Sequence, residues 1–188
     1  NYYPRIQQVL DKYDIALIDD EVICGFGRTG KPFGAQSMDI RPTTMSIAKA
    51  LSSAYLPISA VLIPESMYEA FADRSGELGN FSHGFTYSGH PVSAAVALAN
   101  LELIETEGLI EHVRDITAPY LGDAIKHLDS HPLVGETRSF GLLACIELVQ
   151  HKSGPVLFDP IGEVGTLCRG QAIKGGLMVR AVRDGMIL

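Results

Sequence analysis

The chain is short of cysteine, of runs of like charge and of long apolar runs, and each shortage excludes something. Its 188 residues include three cysteines, Cys24, Cys145 and Cys168. They are far apart, odd in number and outside CxxC spacing, which argues against a disulfide framework or a zinc site. They read as reduced thiols in a cytosolic protein. No run of Lys or Arg exceeds two residues and the net charge is −7, so neither nucleic acid nor acidic membrane is the expected partner. No apolar run approaches the ~20 residues of a membrane span, and the N-terminus lacks the pattern of a signal peptide. An initiating Met is missing too, and the chain stops at Gly185-Met186-Ile187-Leu188, inside a strand-like run. A fragment of a longer protein, truncated at both ends, is therefore expected. The composition, 46% hydrophobic and 20% charged, is globular and rather apolar, which argues against disorder.

What is present centres on the stretch from Ile15 to Lys49. The apolar run Ile15-Ala16-Leu17-Ile18 is closed by Asp19-Asp20-Glu21. A second run, Met45-Ser46-Ile47-Ala48, is closed by Lys49. Such runs suit strands buried on both faces. The residues between them leave room for the crossover that parallel strands need. Asp20 and Lys49 then emerge at the carboxyl edge of one sheet, where open α/β sheets bind ligands.

Around this pair the rest of the chain falls into short elements. Tyr3 to Tyr13 has the 3–4 spacing of an amphipathic helix. Gly25 to Gly30 is a turn-rich loop, with a short helix around Gly34 to Met38. Ile58 to Ile63 is a third strand, antiparallel because the gap after Lys49 is too short for a parallel crossover. A helix over Glu65 to Ala72 precedes a long loop, Asp73 to Gly89, of the kind that often carries function. Pro91 opens a helix to about Thr106, with Gly108 as its stop, apolar nearly all round and so expected to be largely buried. Leu109 to Leu128 is helical and interrupted by Pro119. Leu142 to Val149 reads as a strand, Gly162 to Lys174 as a helix and Leu177 to Val182 as a strand. The boundary between two domains falls near residue 110, giving 1–110 and 111–188. There is no internal repeat.

Each candidate residue has two readings. Lys49, flanked by Ile47-Ala48 and Ala50-Leu51, is a desolvated amine free to act as a nucleophile, or a strand-end lysine reaching solvent. Asp20 caps a turn, or pairs with a cationic ligand nitrogen. Thr86 is a plain loop threonine or an anion binder. His83 and His90 fit no zinc spacing, and no metal is expected. Arg180, in the apolar run Leu177 to Val182, needs either a structural acid or a substrate carboxylate. Gly25 to Lys31 nearly fits the phosphate loop GxxxxGK plus Ser or Thr, but Pro32 takes the hydroxyl's place and the acidic run comes in the wrong order.

Taken together, these segments resemble the class III (omega) aminotransferases, pyridoxal-phosphate enzymes of fold type I. The resemblance rests on Leu17-Ile18-Asp19-Asp20-Glu21-Val22 with Gly25-Phe26-Gly27-Arg28-Thr29-Gly30, on Ser46-Ile47-Ala48-Lys49-Ala50-Leu51, and on His83-Gly84-Phe85-Thr86-Tyr87-Ser88-Gly89-His90-Pro91. It implies an α/β fold: the C-terminal part of a large domain with a mixed, mostly parallel sheet, followed by a smaller α+β domain. It implies pyridoxal 5'-phosphate as cofactor, with Lys49 forming the internal aldimine and Asp20 pairing with the pyridine nitrogen. Val22 would pack on the ring, and Thr86 would bind the phosphate of the neighbouring subunit's cofactor. Arg180 would take the substrate carboxylate. The implied activity is ping-pong transfer of an amino group from an amine or omega-amino acid to a keto acid such as pyruvate, in a cytoplasmic homodimer. Lys49 would act as general base and acid. An aminomutase, decarboxylase or racemase of the same fold, or a non-catalytic module, are the alternatives.

Some positions depart from the family pattern. Ile23 stands where ornithine-type relatives carry a glutamine, which favours the amine and omega-amino-acid branch. Thr43 replaces an acid and Ala50 a glycine. The family's phosphate cup and ring-stacking aromatic belong to sequence upstream of Asn1, so the fragment alone is expected to be inactive.

Overall fold

Ile18–Asp20 forms β1 and Thr44–Ile47 forms β2, paired in parallel with Ile18 opposite Thr44 and Asp20 opposite Ser46. The computed structural model describes residues 2–153 and 156–188. Ala60–Leu62, β3, runs antiparallel to β2 with Ile47 opposite Ala60, so the three-stranded sheet is mixed, in the order β1-β2-β3. The short gap after β2 forced that choice, as its length predicted.

β1 begins three residues later than expected and is not buried on both faces. Helix α1, Tyr2–Tyr13, ends with Asp14 in the left-handed region (φ 50°), and the Ile15 N–H bonds back to the Leu10 carbonyl at 3.0 Å. Ile15 is thus used in closing the helix. Among the described residues β1 has a neighbour on one side only, and Ile18 is 77% exposed. The crossover to β2 contains α2, Gly34–Met38.

Helix α3, Glu65–Leu78, runs six residues beyond its expected end, so the long loop starts only at Gly79. Arg74 and Glu77 pair across one turn at 2.9 Å, and the Ser75 hydroxyl donates to the Ala72 carbonyl at 2.7 Å. These local bonds carry the helix past Gly76 despite that residue's helix penalty of about 1 kcal/mol.

Helix α4, Pro91–Thr106, has Pro91 in its first turn and Gly108 (φ 60°) just past its end. It is less buried than its composition suggested. Only Ala97 and Asn100 are buried, while Val92, Leu98 and Leu103 are exposed. One side alone packs on the core of Ile47, Leu51 and Ala97, which Phe26, Phe33, Met45, Ile58 and Leu101 surround.

The chain divides into two compact units, Asn1–Ile110 and Glu111–Leu188. The division falls inside a helical stretch: α5, Leu109–His112, a π-helical turn, Val113–Thr117, and α6, Ala118–Lys126. Pro119 lies in the first turn of α6, so its missing N–H costs little, and the expected interruption becomes the wider turn before it.

In the second unit, β4 (Val134–Phe140), β5 (Leu143–Leu148), β6 (Arg180–Val182) and β7 (Gly185–Ile187) form an antiparallel sheet in the order β4-β5-β7-β6. α6 packs on β4 and β5, and α7, Glu163–Lys174, packs on β6 and β7. Val134, Leu148 and Met186 make the core. The residues give no strand pattern for β4, and the strand expected from Leu177 starts only at Arg180.

Candidate active site

Adjacent strands in a sheet lie about 4.8 Å apart, so the residues just beyond the carboxyl ends of β1 and β2 emerge side by side at one edge of the sheet. Asp20 is the last residue of β1, and Lys49 comes three positions after Ser46, the cross-strand partner of Asp20. Asp20 Oδ1 accepts the Val22 N–H at 3.1 Å and the Ser46 hydroxyl at 3.3 Å. Asp20 is exposed, and its Oδ2 has no partner among the described residues. The carboxylate is therefore oriented by one oxygen and open at the other.

Glu21 holds the end of β1 in place. It is 1% exposed, and its two oxygens accept the Gly34 N–H at 2.9 Å and the Ala35 N–H at 2.6 Å, at the start of α2. Its own N–H donates to the Ser46 carbonyl at 3.0 Å, and its carbonyl accepts the Gly25 N–H at 2.9 Å. A Cβ on Gly34 would sit 2.9 Å from the Cys24 Cβ and 3.2 Å from Glu21 Oε2, so only glycine lets the carboxylate in. These N–H groups serve an internal acid and are not free to bind a phosphate. In the sequence Glu21 shows only as the end of an apolar run.

Asp19, between the two strand-end acids and the apolar run, lies in less solvated surroundings. Burial, and then the charge of Glu21, push its carboxyl up to about 6. Its Oδ2 is buried without a partner among the described residues. Burial and the charges of Glu21 and Asp19 likewise push the Cys24 thiol up, which keeps it protonated and unreactive.

Lys49 opens a single 3-10 turn, Lys49–Leu51, with φ 44°, in the left-handed region. Ser53 (φ 49°) and Ala54 (φ 63°) also lie in that region. Such clusters of strained non-glycine backbone persist only where surroundings hold them, and they collect at functional sites. The expected desolvation of the lysine is not found within this chain. Lys49 is exposed, because it turns out of the sheet edge, and its Nζ has no partner among the described residues. Asn100, buried on α4, donates from Nδ2 to the Ala50 carbonyl at 2.8 Å and the Leu51 carbonyl at 3.2 Å. An asparagine inside an apolar helix was the signal for it.

Val22 is half-buried in the turn after Asp20, and Ile23 beside it is exposed. Thr86 is exposed in a turn between Phe85 and Tyr87, themselves 83% and 80% exposed. The departing Thr43 has a local task, since its hydroxyl accepts the Leu17 N–H at 3.0 Å. Asp20, Val22, Lys49 and Thr86 all belong to the first unit, and Arg180 to the second. Arg180 is exposed on β6, opposite Ile187, with no acid paired to it among the described residues. The hairpin that carries it is tied down by Asp184, buried, whose oxygens accept the Gly162 N–H at 2.9 Å and the Gly165 N–H at 3.0 Å at the start of α7.

The donor set suits pyridoxal phosphate. An oriented carboxylate with one free oxygen can accept from a protonated ring nitrogen, and an unpaired lysine amine can bond an aldehyde carbon. The three cysteines are free thiols, and no helix among the described residues is long and apolar enough to cross a membrane.

Comparison with known proteins agrees with this chemistry. The family model for aminotransferase class-III matches residues 1–183. A putrescine–pyruvate aminotransferase of Pseudomonas aeruginosa is 48% identical over all of this chain and 40% of its own length. A probable mitochondrial gamma-aminobutyrate transaminase 3 of rice is 46% identical over all of this chain and 36% of its own. The crystal structure of the omega transaminase of Pseudomonas jessenii in complex with PMP superposes with a TM-score of 0.95 at 46% identity, over all of this chain and 41% of that one. The chain thus spans about two fifths of the relatives it matches. The mixed sheet, the helices around it and the smaller unit after it are those of a fold type I transaminase. On sequence and fold, this chain belongs to the class III aminotransferases.

Proposed function

We propose that the full-length protein is a pyridoxal-phosphate-dependent transaminase that moves an amino group from an amine or omega-amino acid to a keto acid, with pyruvate as acceptor. The observation that carries this reading is the delivery of Asp20 and Lys49 to one edge by neighbouring parallel strands. When bound, the cofactor supplies an electron sink for the carbanion left by proton removal from the substrate. Asp20, with Oδ2 free, would accept a hydrogen bond from the cofactor's ring nitrogen and favour its protonated form. Val22 bears on the ring face. Lys49 would hold the cofactor through its Nζ and would serve as the base and acid that moves a proton at the substrate α-carbon. Thr86 offers its hydroxyl and N–H to a phosphate in the neighbouring subunit of a homodimer, and the exposed Phe85 and Tyr87 around it suit a protein interface. Arg180 forks onto a substrate carboxylate. Pyruvate as acceptor is supported by the name of the Pseudomonas aeruginosa relative.

The test is alanine formation from pyruvate by the full-length protein with putrescine and with gamma-aminobutyrate. It is expected with at least one donor, together with an absorbance near ~420 nm for the lysine-bound cofactor. Lys49→Ala is expected to abolish both. Pyridoxal phosphate binding unaffected by Lys49→Ala refutes the assignment. Carbon dioxide or a rearranged amine in place of alanine refutes the reaction class.

A further inference from the structure

We infer that Asn100 is a positioning residue for Lys49, setting the geometry of the lysine's turn from the middle of α4. The inference rests on the reading of Lys49 as the residue that bonds the cofactor.

The turn Lys49–Leu51 is too short to satisfy its own ends. Ala48 and Lys49 carbonyls accept the Leu51 and Ser52 N–H groups at 3.0 and 3.2 Å. The carbonyls of Ala50 and Leu51, at the carboxyl end of the turn, have no helical partner further on, since Ser53 and Ala54 leave the helical region. Asn100 supplies both partners. Its Nδ2 carries two protons and lies 2.8 Å from one carbonyl and 3.2 Å from the other. The side chain caps the turn from another element.

The choice of residue points the same way. Of the two buried residues of α4, Ala97 packs into the apolar core and Asn100 is polar. A leucine at that site would add apolar burial beside Leu51, whereas a buried amide is costly unless its donors are used. Here they are used, on the two residues just after Lys49. Lys49 itself is held left-handed, a conformation that relaxes unless its surroundings over-determine it. Removing the cap loosens the direction in which Nζ leaves the sheet edge. Bond formation between Nζ and the aldehyde carbon, with loss of one water, then becomes less favourable. Contacts that do not involve Lys49 are unaffected.

The experiment compares two forms of the cofactor on the full-length apoprotein by calorimetric titration. Pyridoxal phosphate bonds Lys49, whereas pyridoxamine phosphate has no aldehyde and does not. Asn100→Leu is expected to weaken pyridoxal phosphate about tenfold, the worth of one to two lost neutral hydrogen bonds. Pyridoxamine phosphate is expected to change less than about twofold. Leu101→Ala, a cavity in the same core cluster, is expected to lower thermal stability and leave the ratio of the two affinities at its parental value. Asn100→Ser, with one donor on a shorter stem, serves if the leucine variant does not fold, and is expected to lose about threefold for pyridoxal phosphate alone. Equal loss for both cofactor forms, or the same selective loss in Leu101→Ala, overturns the inference. Lys49→Ala separates the two levels. If it leaves the affinity ratio unchanged, the assignment of Lys49 itself fails. If it lowers the ratio while Asn100→Leu does not, only the role of Asn100 fails.

Discussion

Asp20 and Ser46 face each other across the parallel pair, and the Ser46 hydroxyl donates to Asp20 Oδ1 at 3.3 Å. The acid is thus oriented from the strand that leads to Lys49. On the proposed reading, Ser46→Ala leaves the Val22 N–H as the sole donor to that oxygen. Loss of one such bond is worth about 0.5–1.5 kcal/mol, so retention of pyridoxal phosphate by the full-length protein should fall roughly three- to tenfold. Equilibrium dialysis measures it, and unchanged retention means that Val22 suffices.

Glu21 should be the most damaging single position in the first unit. Glu21→Ala strands two buried N–H groups and leaves a void, which costs about 2–4 kcal/mol. Glu21→Gln keeps one acceptor but turns an NH2 toward the other N–H, at about 1–2 kcal/mol. Denaturant unfolding of the full-length variants should rank Ala below Gln below the parent. Equal stability of all three contradicts the clamp.

Asp19 adds a pH dependence of definite sign. Its carboxyl rises from 3.8 to about 6 on folding, because burial and the nearby Glu21 disfavour the charge. The folded state therefore favours the protonated acid. That contribution is complete below pH 3.8 and is lost as pH rises through about 6. Asp19→Asn should raise the melting temperature at pH 8 by about 1–3 °C and lose its advantage at pH 4. An advantage that is equal at both pH values means that charge is not the cause.

In the second unit Gly165 has no room for a side chain. A Cβ there would collide with the Arg183 carbonyl, on the hairpin that Asp184 ties to α7. Gly165→Ala should displace that hairpin at a cost of about 1–3 kcal/mol. It should also raise KM for carboxylate-bearing donors more than for plain amines. Arg180→Ala should produce the same discrimination without the loss of stability. Uniform loss over both donor classes argues against Arg180 as the carboxylate contact.

Several of these features are legible in the residues alone. The two apolar runs place Asp20 and Lys49 at one edge, and the short gap after β2 sets the antiparallel partner. Pairing and gap length are local consequences of chain length and hydropathy. Burial is less legible. α4 reads as apolar all round, yet a helix needs a neighbour on each side to be covered, and composition does not supply neighbours. β4, Val-Gly-Glu-Thr-Arg-Ser-Phe, escapes notice because it is an edge strand whose one buried residue is Val134. Glu21, Asn100 and Asp184 escape for a different reason. Each works on backbone 13 or more residues away, as in the bonds from Gly34 to Glu21, from Asn100 to Leu51 and from Gly165 to Asp184. Their value depends on the turn or helix end they meet, and no local pattern announces that.

The Asp184 clamp has a consequence for how selectivity could change over evolution or in engineering. It anchors the hairpin at its tip, through main-chain N–H groups of α7, and asks nothing of the side chain at position 180. On the proposed reading of Arg180, changing that side chain leaves the anchor of the hairpin in place. A library randomised at Arg180 should yield proteins that fold as readily as the parent while exploring new donors.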